Sequence, residues 1–143
     1  MKSKLISMVF VVLVAATINA QQAGETRVLL SEQASAADAN GNEALRAWLR
    51  TTDLKGSIDS PVTNIRLVLV NRSPNFYTYV SGWATFYDSE GVRCGEGLFK
   101  MDALAVGESA ETDTPGLRLR CTPVTWRVVA TNLLTRSSDT AKP

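Results

Sequence analysis

Apolar and polar positions alternate with different periods along the chain, and each change of period predicts a different kind of segment. Leu5 to Ile18 is almost wholly apolar behind Lys2 and Lys4, and Ile18-Asn19-Ala20 offers a small residue at its end. That order of basic start, short apolar run and small-residue end predicts a signal peptide over residues 1–20, cut after Ala20. About 14 apolar residues fall short of the roughly 20 that a helix needs to cross a bilayer, so export without stable membrane insertion is expected. Residues 21–42 are rich in Ala, Gln, Ser and Asn around one apolar island, Val28-Leu29-Leu30, and read as a polar linker. Glu43 to Arg50 then sets Leu45, Trp48 and Leu49 at helical spacing, with Asn42 placed to cap them, which predicts a short amphipathic helix.

From Pro61 the period becomes two. Ile65, Leu67 and Leu69 fall on one side of Val62 to Asn71, with Arg66, Val68 and Val70 on the other, as in a strand covered on both faces. Arg72-Ser73-Pro74-Asn75 is turn chemistry, and Phe76 to Asp88, dense in aromatic and β-branched residues, is the strongest strand signal in the chain. It exceeds the usual strand length, so Ser81-Gly82 is expected to form a bulge or a bend between sheets. Ser89-Glu90-Gly91 closes a hairpin back into Val92 to Met101, and Val106 to Ser109 makes a further turn. Ser109 to Asp113 is another short strand, ended by Thr114-Pro115-Gly116. Leu117, Leu119 and Cys121 alternate with Arg118, Arg120 and Thr122, and Val124 to Leu134 is the last strand. The expected fold is all-β: an immunoglobulin-like antiparallel β-sandwich with a short N-terminal helix, spanning residues 43–136 as one domain. Residues 137–143 read as a disordered polar tail.

Cys94 and Cys121 are the two cysteines, and in an exported chain they are expected to be bridged. If Leu117 and Leu119 face the core, so does Cys121, and the bridge is an internal staple. A redox or metal pair would need closer spacing or further ligands. The chain has no histidine, which removes the Ser-His-Asp triad, the Cys-His pair, His-ligated zinc and the histidine pH switch. Its net charge is +1, and losing Lys2 and Lys4 with the leader would leave 13 basic groups against 14 acidic ones. So balanced a chain lacks the basic excess of a nucleic-acid binder, and no nucleic-acid partner, metal or cofactor is expected.

Four groups of residues are candidates for chemistry. Phe76, Tyr77 and Tyr79 stand beside the Pro-Asn turn, with Tyr77 and Tyr79 on one strand face, where they form either a stacking platform for a sugar or peptide or a cover for the core. Arg118 and Arg120, with Arg127, form a small basic stripe or a solvated face that guards the sheet against other sheets. Asp88 and Glu90 offer part of a calcium shell but fit ordinary turn chemistry better, because the rest of a calcium loop is missing. Glu96, Asp102, Glu108, Glu111 and Asp113 are candidates for a glycosidase pair, but no spacing selects two of them, and scattered surface carboxylates are the ordinary reading. Asn71-Arg72-Ser73 also fits a glycosylation acceptor, although Pro74 disfavours it.

Three stretches carry a family likeness. They are Asn64 to Ser73, Trp83-Ala-Thr-Phe-Tyr-Asp-Ser-Glu-Gly-Val92 and Leu104-Ala-Val-Gly-Glu-Ser109, with an Asn-Ser turn, a Phe-Tyr-Asp-x-x-Gly hairpin and a Gly-Glu-Ser turn. Over residues 61–109 the chain resembles the FxLYD-type domain of bacterial exported proteins. It departs from that pattern at Ser81-Gly82, in the aromatic block before it and in the Cys94 and Cys121 pair. The resemblance implies an immunoglobulin-like fold in the cell envelope or outside it, and no catalytic residues. Residues and resemblance together predict a secreted or periplasmic, non-enzymatic module for binding a protein or carbohydrate or for envelope assembly. The alternative is a small carboxylate-dependent glycoside-processing enzyme.

Overall fold

The computed structural model describes residues 26–136; the expected signal peptide and the expected C-terminal tail lie outside them. Eight strands follow one another: β1 (Val28–Leu29), β2 (Ala34–Ala37), β3 (Glu43–Leu49), β4 (Arg66–Asn71), β5 (Tyr77–Tyr87), β6 (Arg93–Leu104), β7 (Ser109–Asp113) and β8 (Thr125–Thr135). They form two four-stranded antiparallel sheets, ordered β1-β8-β5-β6 and β2-β3-β4-β7. The inward residues of both enclose one core, giving a sandwich-like, all-β body. Trp126, Phe86 and Phe99 come from the first sheet and Leu45, Leu67 and Leu69 from the second, all essentially inaccessible to water. Phe86 and Trp126 stack with ring centroids 6.2 Å apart, and the Trp126 indole Nε1 donates to the Glu32 carbonyl at 3.3 Å.

The expected helix is a strand. β3 pairs with β2 on one side and β4 on the other, so Leu45, Ala47 and Leu49 face the core while Arg46 and Trp48 face out. Its residues are good helix formers, but two neighbouring ladders outweigh the few tenths of a kcal/mol per residue that propensity supplies. Asn42, expected as a helix cap, instead closes the β2–β3 hairpin: its N–H donates to Asp38 Oδ1 and its carbonyl accepts from the Asp38 N–H. The linker expected over residues 21–42 is likewise structured in its described part, where Ala34 and Ala36 are fully buried against β3.

The long aromatic strand holds its place in one sheet. Ser81 pairs with Asn132 and Gly82 with Ala130, which leaves Thr131 of β8 as the extra residue of the bulge expected here. The Ser81 side chain satisfies the local polar groups: Asn132 Nδ2 donates to Ser81 Oγ at 2.7 Å, and Thr131 Oγ1 donates to the Ser81 carbonyl. Gly82 is required by close approach, because a Cβ there would lie 2.2 Å from the Val129 carbonyl oxygen and 2.6 Å from the Phe99 ring.

Cys94 and Cys121 are bridged, with Cα atoms 5.9 Å apart. The bridge is half-buried at the core rim rather than inside it, although Leu117 and Leu119 are fully buried as expected. Residues 117–122 are not a strand: Leu119 makes one isolated bridge to Val62, and the Arg120 N–H donates to the Cys94 carbonyl. The segment therefore runs beside the edge strand β6, held there by the disulfide.

Candidate binding face

The three aromatic candidates do not form one surface. Tyr77 is 3% exposed and belongs to the core, Phe76 is exposed, and Tyr79 is half-buried. The β5–β8 register shifts between Tyr77 and Tyr79, where Thr78 Oγ1 donates to the Leu134 carbonyl, so the two tyrosines do not share a face as period two would require. Arg118 and Arg120 are exposed and line a shallow groove of about 310 Å³ with Arg93 and Glu96, beside the disulfide. Arg127 lies apart from that groove, against Tyr87. Asn71 is buried, with both amide protons given to the carbonyls of Asn75 and Leu104, which leaves nothing for a glycan.

The open apolar surface is centred on a residue that the sequence reading passed over. On β5, Val80, Ala84 and Phe86 are in the core, so Tyr79, Ser81, Trp83, Thr85 and Tyr87 point outward. Trp83 is paired with Leu98 of β6 and Val129 of β8, giving a row of apolar side chains in which Trp83 is 38% and Leu98 40% exposed. Tyr79 stands two outward positions from Trp83 toward the N-terminus of β5, across one polar row, Lys100–Ser81–Asn132. On the other side lies the row Glu96–Thr85–Arg127, in which Thr85 Oγ1 donates to Glu96 at 3.1 Å. The alternation of Val80, Ala84 and Phe86 would have placed Trp83 outward from sequence alone.

The outer face of the second sheet has a different character. There Val68 is only 5% exposed, between Trp48 and Glu111 in the ladder and among long charged side chains. Arg50 and Arg66 approach Glu111, Arg66 also approaches Asp113, and Arg46 is paired with Glu43 at 2.8 Å. The hydrogen-bonded Arg46 guanidinium holds the Glu43 carboxyl below its ordinary range, and Glu43 in turn raises Arg46. On this face the exposed arginines are matched by carboxylates, whereas the first sheet's face presents the apolar row of Trp83 and Leu98. No family model, curated protein or solved structure matches the chain.

The carboxylates do not gather around one cavity. Glu111 and Asp113 share an open groove with Arg50 and Arg66, Glu96 binds Thr85 and Arg93, and Glu108 accepts from the Ala105 N–H. Asp88 Oδ1 accepts the N–H groups of Glu90 and Val92, which is hairpin chemistry. Among the described residues no three Cys, Asp or Glu side chains are placed to hold a metal ion, and no helix is long and apolar enough to cross a membrane.

Proposed function

We propose that this protein is an exported, non-enzymatic binding module of the cell envelope or its exterior, an immunoglobulin-like sandwich of the FxLYD type. Its contact surface is the outer face of the β1-β8-β5-β6 sheet. The observation that carries this reading is the contrast between the two outer faces: one is covered by ion pairs, while the other leaves Trp83 and Leu98 open to water in one row. A flat row with a central tryptophan suits an extended ligand, because the indole supplies a large rigid contact area and a polar N–H together. The disulfide and the apolar leader support the oxidising compartment in which such a ligand would be met.

The test is retention of soluble polysaccharides and extended peptides on the immobilised wild-type chain and on Trp83→Ala. The wild type is expected to retain at least one ligand, chemically unchanged, and Trp83→Ala to weaken that retention by about tenfold or more. Retention indifferent to Trp83, or recovery of a cleaved ligand, would overturn the proposal.

A further inference from the structure

Beside the Trp83 row, the hairpin end of the same sheet collects arginines. Arg27 Cζ lies 3.6 Å from the centroid of the Tyr87 ring, and Arg127 Cζ lies 5.9 Å from it. Val28 pairs with Trp126, so Arg27 continues that register opposite Arg127, and the two like charges are held together on one aromatic ring. Arg93, paired with Tyr87 on the other side, begins the groove that Arg118 and Arg120 complete along the β6 edge.

Among the described residues, Arg93 with Glu96 is the one ion pair these five arginines make, whereas Arg46, Arg50 and Arg66 on the opposite sheet are all paired. Arg127 Nε is buried without a hydrogen-bond partner among them. A buried guanidinium donor left unpartnered, next to a second guanidinium, costs free energy that an incoming oxyanion would offset.

We infer that the ligand is an acidic polysaccharide, its sugar ring stacked on Trp83 and its sulfate or carboxylate groups on Arg127, Arg93 and the Arg118–Arg120 groove. Trp83 and Tyr87 are four residues apart on β5, about 13 Å along an extended strand, so one chain of a few sugar units reaches both the ring and the arginines. Glu96 lines the same groove and pairs with Arg93, which leaves Arg27, Arg127, Arg118 and Arg120 without an ion-pair partner among the described residues. The inference rests on the binding-module reading and adds the charge of the ligand to it.

The experiment measures binding of dextran sulfate and of uncharged dextran of equal length to the full chain, to Arg118→Ser/Arg120→Ser and to Trp83→Ala, at low and high salt. Dextran sulfate is expected to bind more tightly than dextran and to weaken steeply with salt. The double arginine variant is expected to lose about tenfold per arginine, and Trp83→Ala to lose affinity at every salt concentration. Equal affinity for the two polymers, or an unaffected arginine variant, would overturn the inference; if Trp83→Ala still weakened dextran in that case, the binding face would stand with a neutral ligand. Binding of inorganic sulfate or of a DNA duplex as tight as that of dextran sulfate would also overturn it, since neither offers an open pyranose face to Trp83.

Discussion

Substituting Gly82 by alanine tests the packing that aligns the candidate face. The new Cβ would stand 2.2 Å from the Val129 carbonyl oxygen and 2.6 Å from Phe99 Cζ, where ordinary contact begins near 3.4 Å. Phe99 is fully buried and Val129 is backbone in a central strand, so relief requires β5 and β8 to separate by about 1 Å at the bulge. Overpacking of this kind costs about 3 kcal/mol, which in a domain of this size lowers Tm by roughly 10 °C. Gly107→Ala is the control: nothing lies within 4 Å of its Cβ position, and only the positive φ of 76° is strained, for about 1 kcal/mol. Thermal unfolding followed by circular dichroism compares the two. Adding Phe99→Leu to Gly82→Ala should recover only part of the loss, because the carbonyl contact remains. If Gly82→Ala were no more harmful than Gly107→Ala, the close approach of β5 and β8 described here would be wrong.

Replacing both Cys94 and Cys121 by serine frees a loop with a sequence separation of 27 and should cost about 3.5 kcal/mol, lowering Tm by roughly 10–15 °C without changing the strand content seen by circular dichroism; an unchanged Tm would mean that the bridge restrains nothing. Glu43→Gln removes the pair with Arg46, which is about one-third exposed, and should cost only about 0.3–0.5 kcal/mol at neutral pH. Because folding lowers the Glu43 pKa from 4.5, that contribution is present above this value and disappears as the pH falls through the folded value. Wild type and variant should therefore converge in acid, and a gap that widened there would reverse the assignment.

The aromatic strand, the hairpin after it, the bulge at Ser81-Gly82 and the bridge were legible because each is written in strong local chemistry. The β2–β3 hairpin was not, although its turn is spelled the same way. Asp38-Ala39-Asn40-Gly41 and Asp88-Ser89-Glu90-Gly91 both put an Asp Oδ1 on two following N–H groups and a glycine at positive φ, 83° and 77°. The flanks concealed the first. Ala34-Ser35-Ala36-Ala37 has no β-branched residue, and Glu43 to Leu49 favours helix, so only the pairing with β4 reveals these as strands. The candidate face was hidden for a related reason. An unbroken period of two would put Tyr77 and Tyr79 on one face, and the register shift between them sends Tyr77 to the core. The unpaired arginines come together only through tertiary structure, since Arg27 and Arg127 are a hundred residues apart in the chain and neighbours on Tyr87.

Trp48 and Trp83 stand on the outer faces of opposite sheets and supply an internal control for which face meets a ligand. Hydroxyl-radical footprinting of the full chain, with and without the polysaccharide or peptide it retains, reads the oxidation of both side chains in one sample. The account predicts that the ligand protects Trp83 and leaves Trp48 oxidised as before; protection of Trp48 with Trp83 unchanged would contradict it.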